Sequence, residues 1–111
     1  MDLVNELNNL IKKLDISVKS LRNTGSDYAK AYTDYRVALA KELVRLKDDG
    51  MAVTIAYDVA RGKPEIAKLK FNEIANEAIY KANQEAINST KLKIKIIQEQ
   101  LNKEYSSDLP N

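Results

Sequence analysis

The carboxylates are the first residues to examine for chemistry, because the 111-residue chain contains neither Cys nor His. Without those residues there is no thiolate nucleophile, no disulfide, no imidazole base and no zinc site of the usual kind. Two carboxylates can act as acid and base, or hold magnesium, when a pocket raises one pKa or gathers oxygens around a cation. Asp27 and Asp34 recur instead at a helical interval among lysines, which is typical of a solvated helix face. The sequence therefore predicts a protein that is not an enzyme and that has no metal or cofactor site.

The composition predicts long helices. The chain carries 18 Lys+Arg and 16 Asp+Glu for a net charge of +2, and 31% of its residues are charged, with three Gly and two Pro. This balance is typical of solvated helices, and the length allows one domain. No basic segment precedes an apolar stretch at the start, and no run approaches the roughly 20 apolar residues that span a bilayer. We therefore expect a cytoplasmic protein with no membrane partner.

An apolar seam predicts helices in the first half of the chain. Apolar residues alternate at intervals of four and three, as in a coiled coil. Gly25 can close one helix and Ser26 can cap the next, so we predict helices over residues 2–22 and 26–49. One helix passing through Gly25, at a cost of about 1 kcal/mol, is the alternative. The seam consists of Leu3, Leu7, Leu10, Leu14, Leu21, Tyr28, Tyr32, Tyr35, Leu39 and Leu46.

A connector between long helices is predicted at Gly50. This residue fits the left-handed conformation that ends a helix. A short helix over residues 54–61 follows, capped by Thr54 and stopped by Gly62. Pro64 then suits the first turn of the last helix, because proline has no backbone N–H to lose there.

The last helix is predicted over residues 64–104, with a disordered tail over 106–111. Its apolar stripe includes several consecutive steps of four residues, which argues against a strict heptad repeat. Residues 91–96 alternate as a strand would, but we predict helix because the helical pattern lies on both sides. The stripe consists of Phe71, Ala75, Ala78, Ala82, Ala86, Thr90, Ile94, Ile97 and Leu101.

These elements predict an all-α fold. We expect one helical domain over residues 1–105, arranged as an antiparallel long-helix hairpin or as a three-helix coiled-coil-like bundle. Apolar seams of this length need partners, so we also expect a homo-oligomer.

Two groups of residues raise the alternative of nucleic-acid binding. Tyr28, Tyr32 and Tyr35 could stack on bases, although we favour packing because they coincide with the seam. Lysines of the last helix could meet phosphates, although a solvated helix face is favoured because both halves of the chain mix charges of both signs. The candidate lysines are Lys68, Lys70, Lys91 and Lys95.

Five stretches of the chain carry a resemblance to known proteins: Asp34–Ala40, Gly50–Ile55, Asp58–Gly62, Ala67–Phe71 and Glu85–Asn88. In these stretches the sequence resembles a family of small helical proteins. Those proteins are encoded in early regions of phages and prophages of Gram-positive bacteria, often near replication and recombination genes. The resemblance extends from about residue 21 to residue 101 and brings no defined activity or functional residue.

The resemblance implies a non-enzymatic phage or prophage accessory protein that binds a host or phage protein. Such a protein would act in DNA replication and recombination, or inhibit a host defence system. The alternatives are a helical nucleic-acid-binding protein and an oligomeric sponge for a small nucleotide signal. Asp58 and Arg61 either form a local salt bridge or face a partner. The candidate partner contacts are Thr54, Tyr57, Asp58, Arg61 and Gly62.

Overall fold

Three helices make up the described chain. The computed structural model describes residues 2–108 and contains α1 (Leu3–Asp48), α2 (Val53–Gly62) and α3 (Pro64–Asp108). No strand occurs within the described residues, and the all-α prediction is confirmed. The alternating segment 91–96 is helical, as predicted.

Helix α1 passes through Gly25 without a break. It is one helix of 46 residues, so the predicted division near Gly25 is wrong and the alternative of a single helix is correct. Glycine weakens a helix by about 1 kcal/mol relative to alanine. Its presence has a packing reason, because a Cβ at Gly25 would lie 3.1 Å from the ring of Tyr80.

Gly50 ends the first long helix in the left-handed conformation, as predicted. Its φ is +92°, and it is the glycine with positive φ among the described residues. The amide of Gly50 donates to the carbonyl of Lys47, and the amide of Met51 donates to that of Leu46, both at 3.0 Å. These bonds satisfy carbonyls that the end of a helix would otherwise leave without partners.

The bounds of α2 and the start of α3 follow the sequence pattern, except at the N-cap of α2. The N-cap of α2 is Ala52, which makes no side-chain cap hydrogen bond. The predicted Thr54 cap is wrong, because the helix begins one residue before Thr54 and leaves it inside the first turn. Gly62 is the last residue of α2 and Pro64 is the first of α3, as predicted.

The chain divides into two compact units. Unit 2 is Thr24–Tyr80, and unit 1 combines the part of α1 up to Asn23 with the part of α3 from Lys81 onward. Within unit 1 the two helices run antiparallel. The side-chain amide of Asn83 donates to the carbonyl of Ser17 at 3.0 Å, whereas Leu10 and Ile97 line one groove nearer the ends.

Unit 2 contains a three-helix core. Tyr28 of α1 donates its hydroxyl to Glu77 Oε2 of α3 at 2.8 Å, which joins the two long helices. The short helix α2 packs against the last part of α1 and the start of α3. The buried cluster consists of Tyr35, Leu39 and Leu46 of α1, Ala56 and Ala60 of α2, and Ile66 of α3.

The packed face of α3 differs from the predicted stripe in its first half, whereas Thr90, Ile94, Ile97 and Leu101 lie on it as predicted. Phe71 is 70% exposed, and Ala78 and Ala82 are also exposed. The buried and half-buried positions alternate at steps of three and four, so the expectation that α3 departs from a heptad repeat is wrong. The first half of the predicted stripe is wrong because the prediction followed apolar residues, whereas the packed face there includes polar side chains. That face consists of Ile66, Leu69, Glu73, Asn76, Tyr80, Asn83, Ile87, Thr90, Ile94, Ile97 and Leu101.

The end of α3 also differs from the expectation. The helix reaches Asp108, so residues 106–108 of the predicted disordered tail are helical. The remainder of that tail, residues 109–111, lies outside the described residues.

On α1 the seam lies mostly on the packed side. Tyr35, Leu39 and Leu46 are buried, whereas Tyr32 is 45% exposed and does not share this face. The reason is register, because the neighbouring Ala31 occupies the inward position. The half-buried members are Leu3, Leu7, Leu10, Leu14, Leu21 and Tyr28.

Candidate protein-interaction surface on α2

Helix α2 buries its small apolar residues and leaves its large ones exposed. Ala56 and Ala60 are fully buried, whereas Val53, Ile55 and Val59 are 53%, 57% and 46% exposed. A helix that only stabilised its own chain would bury its larger apolar side chains. Residues two apart lie on opposite sides of a helix, so Val53 and Tyr57 lie on one flank of the buried alanines, and Ile55 and Val59 lie on the other. We define the outer face of α2 as Ile55 and Val59.

Tyr57 and Arg61 lie on the other flank of α2. The Arg61 guanidinium carbon lies 4.8 Å from the centroid of the Tyr57 ring, which is a cation–π contact. The two residues are one helical turn apart, so helical spacing brings them together. The five residues predicted as partner contacts are all exposed on α2: Thr54, Tyr57, Asp58, Arg61 and Gly62.

A buried carboxylate fixes the start of α3 and the end of α2 to α1. Glu42 is 9% exposed and pairs with Arg45 Nη2 at 2.6 Å and Lys63 Nζ at 3.2 Å. The hydrogen bond from Arg45, helped by that from Lys63, outweighs burial and lowers the pKa of Glu42 from 4.5 to about 2. Because Lys63 directly follows α2, this pair helps to hold the helix in place.

A groove of about 360 Å³ lies between Tyr35, Arg61, Ala67 and Lys70. Lys70 Nζ lies 4.9 Å from the centroid of the Tyr35 ring and 3.0 Å from Glu73 Oε2. The hydrogen bond to Glu73 raises the pKa of Lys70. Lys70, one of the predicted nucleic-acid contacts, is therefore already paired with a carboxylate within unit 2.

The other predicted nucleic-acid residues are not brought into one patch. Lys68 is exposed in unit 2, whereas Lys91 and Lys95 are exposed in unit 1. Each of these side chains is open to solvent, as on an ordinary solvated helix. Nucleic-acid binding through them stays a prediction.

The three tyrosines of α1 do not form one exposed stacking face. Tyr35 is buried and Tyr32 is exposed, with the Arg36 guanidinium 6.0 Å from the Tyr32 ring centroid. The Tyr28 ring lies 6.0 Å from that of Tyr80 at 35°. The hydrogen bond to Glu77 raises the pKa of Tyr28. Two of the three rings therefore pack within unit 2.

Several acidic residues of unit 2 pair with neighbouring donors. Asp34 accepts from Lys30 at 2.7 Å, and Glu73 and Glu77 contact Lys70 and Tyr28 as described above. Within residues 2–106, the acidic side chains form no group of three or more that could hold a metal ion. None of the described helices is long and apolar enough to cross a membrane.

The outward residues Val53, Ile55 and Val59 are the part of the surface that sequence reasoning missed. The signal was present in the short helix, where Ala56 and Ala60 are four residues apart with larger residues between them. That spacing marks an alanine face, which allows close helix packing and leaves the larger residues exposed on its two flanks.

Comparisons with protein-family models, with curated proteins and with solved structures found no match to this chain.

Proposed function

We propose that this protein is a non-enzymatic binding protein whose outer face of α2 docks on another protein. The observation that carries the proposal is the reversed arrangement of α2, in which Ala56 and Ala60 are buried and Ile55 is 57% exposed. Exposed apolar side chains that adjoin one another on a small helix are typical of interaction sites.

The side chains of this face define the chemistry of the partner. Ile55 and Val59 are one helical turn apart and both are aliphatic. We expect a partner surface with an apolar centre that covers these two side chains. Tyr57 and Arg61 are of the residue types that often dominate binding energies, but they lie on the other flank of α2 and are not part of this contact.

The resemblance of the sequence to small early-region proteins of phages and prophages suggests where the partner is found. It would be a host or phage protein of DNA replication and recombination, or a component of a host defence system that the protein inhibits. The resemblance supports this choice of partner class, and the α2 surface supports the mode of binding.

The test uses two isoleucines of nearly equal exposure. Ile55 on α2 is 57% exposed and Ile79 on α3 is 55% exposed. A photo-crosslinking amino acid placed at position 55 in infected cells should capture one defined protein, and the same probe at position 79 should not. The captured protein is then purified and titrated calorimetrically with the wild-type chain.

The affinities of two serine variants decide the outcome. We expect Ile55→Ser to weaken binding at least about tenfold, which is roughly 1.4 kcal/mol, while Ile79→Ser binds like the wild type. The proposal fails if the two variants behave alike, or if position 55 captures no defined protein.

Nucleic-acid binding is the second candidate, because Lys91 and Lys95 are both exposed on α3. It predicts binding to short DNA that falls steeply with salt and weakens in the double variant Lys91→Glu, Lys95→Glu. Unchanged binding in that variant, or no binding at low salt, would exclude it.

A further inference from the structure

The first part of α1 is apolar over a wider arc than its packing in unit 1 covers. Val4, Ile11 and Val18 are 51%, 47% and 48% exposed. They are seven residues apart, so they form one line along the helix, which we call the outer stripe of α1. Two apolar positions per heptad suffice for a two-helix seam, whereas a third position is typical of a helix with a second neighbour.

The outer stripe combines with a second row to make a complete seam. Leu7, Leu14 and Leu21 are half-buried, and each lies three residues after a member of the stripe. Together the two rows alternate at three and four residues, which is the spacing of a coiled-coil interface. The seam therefore borders the face of α1 that packs on α3, and the leucine row is shared between the two contacts.

A groove on α1 shows where a neighbour would sit. It measures about 320 Å³ and is lined by Ile11, Lys12, Leu14, Asp15 and Val18. The lining carries one cation and one carboxylate beside three apolar residues. Asp15 has an exposed ion pair with Lys19 at 3.2 Å, and such pairs contribute little and exchange readily.

We propose that the groove is filled by the same segment of a second copy of the chain, running antiparallel. With Ile11 of one copy opposite Leu14 of the other, two-fold symmetry repeats the same layer and makes the contact self-complementary. The layers outside it place Leu7 opposite Val18 and Val4 opposite Leu21, so each layer joins two apolar side chains.

The charges favour the antiparallel direction. In this register Asp15 of one copy lies level with the space between Asn8 and Lys12 of the other, on the same side of the seam. Lys12 and Asp15 therefore exchange partners across the two-fold axis. A parallel arrangement in register would instead place Asp15 beside Leu10 of the other copy and leave the two Lys12 side chains on opposite outer sides, so this ion pair would be lost.

The first test compares two isoleucine variants of the full chain by analytical ultracentrifugation. Ile11→Asp should weaken self-association at least tenfold, because it places a carboxylate in the central layer. Ile16→Asp is the matched control, since Ile16 is 66% exposed on the same helix but lies outside the stripe. Circular dichroism confirms that both variants remain helical. A monomeric wild type, or equal effects of the two variants, would overturn the proposal.

The second test fixes the direction, using the absence of Cys from the chain. A mixture of Leu7→Cys and Val18→Cys copies should form a disulfide between the two variants under mild oxidation. The result that overturns the antiparallel pairing is crosslinking of each variant to itself. Dimerisation does not involve α2, so Ile55→Ser should leave self-association unchanged and separates this proposal from the proposed function.

Discussion

The ring of Tyr80 on α3 lies so close to Gly25 on α1 that a Cβ at Gly25 would come within 3.1 Å of its Cε1 atom. The same ring is 6.0 Å from the Tyr28 ring, and Tyr28 donates to Glu77 at 2.8 Å. The absence of a side chain at Gly25 therefore makes room for the aromatic packing that joins α1 to α3 within unit 2.

Gly25→Ala tests this close approach through a double-mutant cycle. Alanine favours the helix by about 1 kcal/mol over glycine, but its Cβ would press on the Tyr80 ring. We expect the full gain only in the Tyr80→Ala background and a smaller gain, or a loss, in the wild-type background. Urea unfolding of the four proteins measures the coupling. Equal effects of Gly25→Ala in both backgrounds would show that the ring does not restrict this position.

Gly50→Ala should destabilise the chain by about 1–2 kcal/mol. The φ of Gly50 is +92°, and no atom lies within 4 Å of a Cβ built there, so the cost comes from the backbone alone. Gly62→Ala is the control, because Gly62 has open space around it and no positive φ. We expect it to be neutral or stabilising in thermal unfolding. A loss of similar size for Gly62→Ala would contradict the conformational explanation.

The ion pair of Glu42 should make stability depend on pH in a defined window. Because the pKa of Glu42 is lowered from 4.5 to about 2 in the folded chain, its contribution is complete above pH 4.5 and is lost as the pH falls toward 2. Wild type should therefore exceed Glu42→Gln in unfolding free energy above that window, and the difference should close within it. Urea midpoints across the window measure this difference. A gap that is independent of pH would show that the carboxylate is not held ionised by Arg45 and Lys63.

Ala60→Leu should destabilise the chain by about 1–3 kcal/mol, because larger side chains overpack a filled core. Ala60 is fully buried on the packed side of α2. Ala40→Leu is the matched control on an exposed helix position, and we expect a change within about 0.5 kcal/mol. Thermal and urea unfolding give both values. A tolerated leucine at position 60 would mean that α2 is held more loosely than its alanine face indicates.

The packed face of α3 can be tested with two truncations. Ile66 is 4% exposed, whereas Phe71 is 70% exposed. Ile66→Ala should lower the unfolding free energy by about 2–5 kcal/mol, while Phe71→Ala should change it by less than about 0.5 kcal/mol. Urea unfolding measures both variants under dilute conditions. A large loss of unfolding free energy in Phe71→Ala would show that this side chain belongs to the core, as the sequence predicted.

The sequence by itself determined the helical elements, because their signals are local. Gly50 was identified from its position after a helical stripe, and it has the positive φ that glycine adopts readily. Pro64 begins α3 as its missing N–H predicts. The spacing of Ala56 and Ala60 indicates an alanine face on α2. Whether that face is the buried one depends on the residues of α1 and α3 that pack against it.

Tertiary structure decided which face of each helix packs and whether Gly25 interrupts α1. Sequence reasoning placed Phe71 on the packed face of α3 because it followed apolar residues. In the structure, that face instead includes Glu73 and Asn83. Those polar residues are acceptable there because Lys70 pairs with Glu73 and Asn83 donates to a carbonyl of α1. Such partners come from other positions in the chain and from the other long helix. Periodicity within one helix records the spacing of side chains but does not reveal the partners that make burial of a polar group favourable.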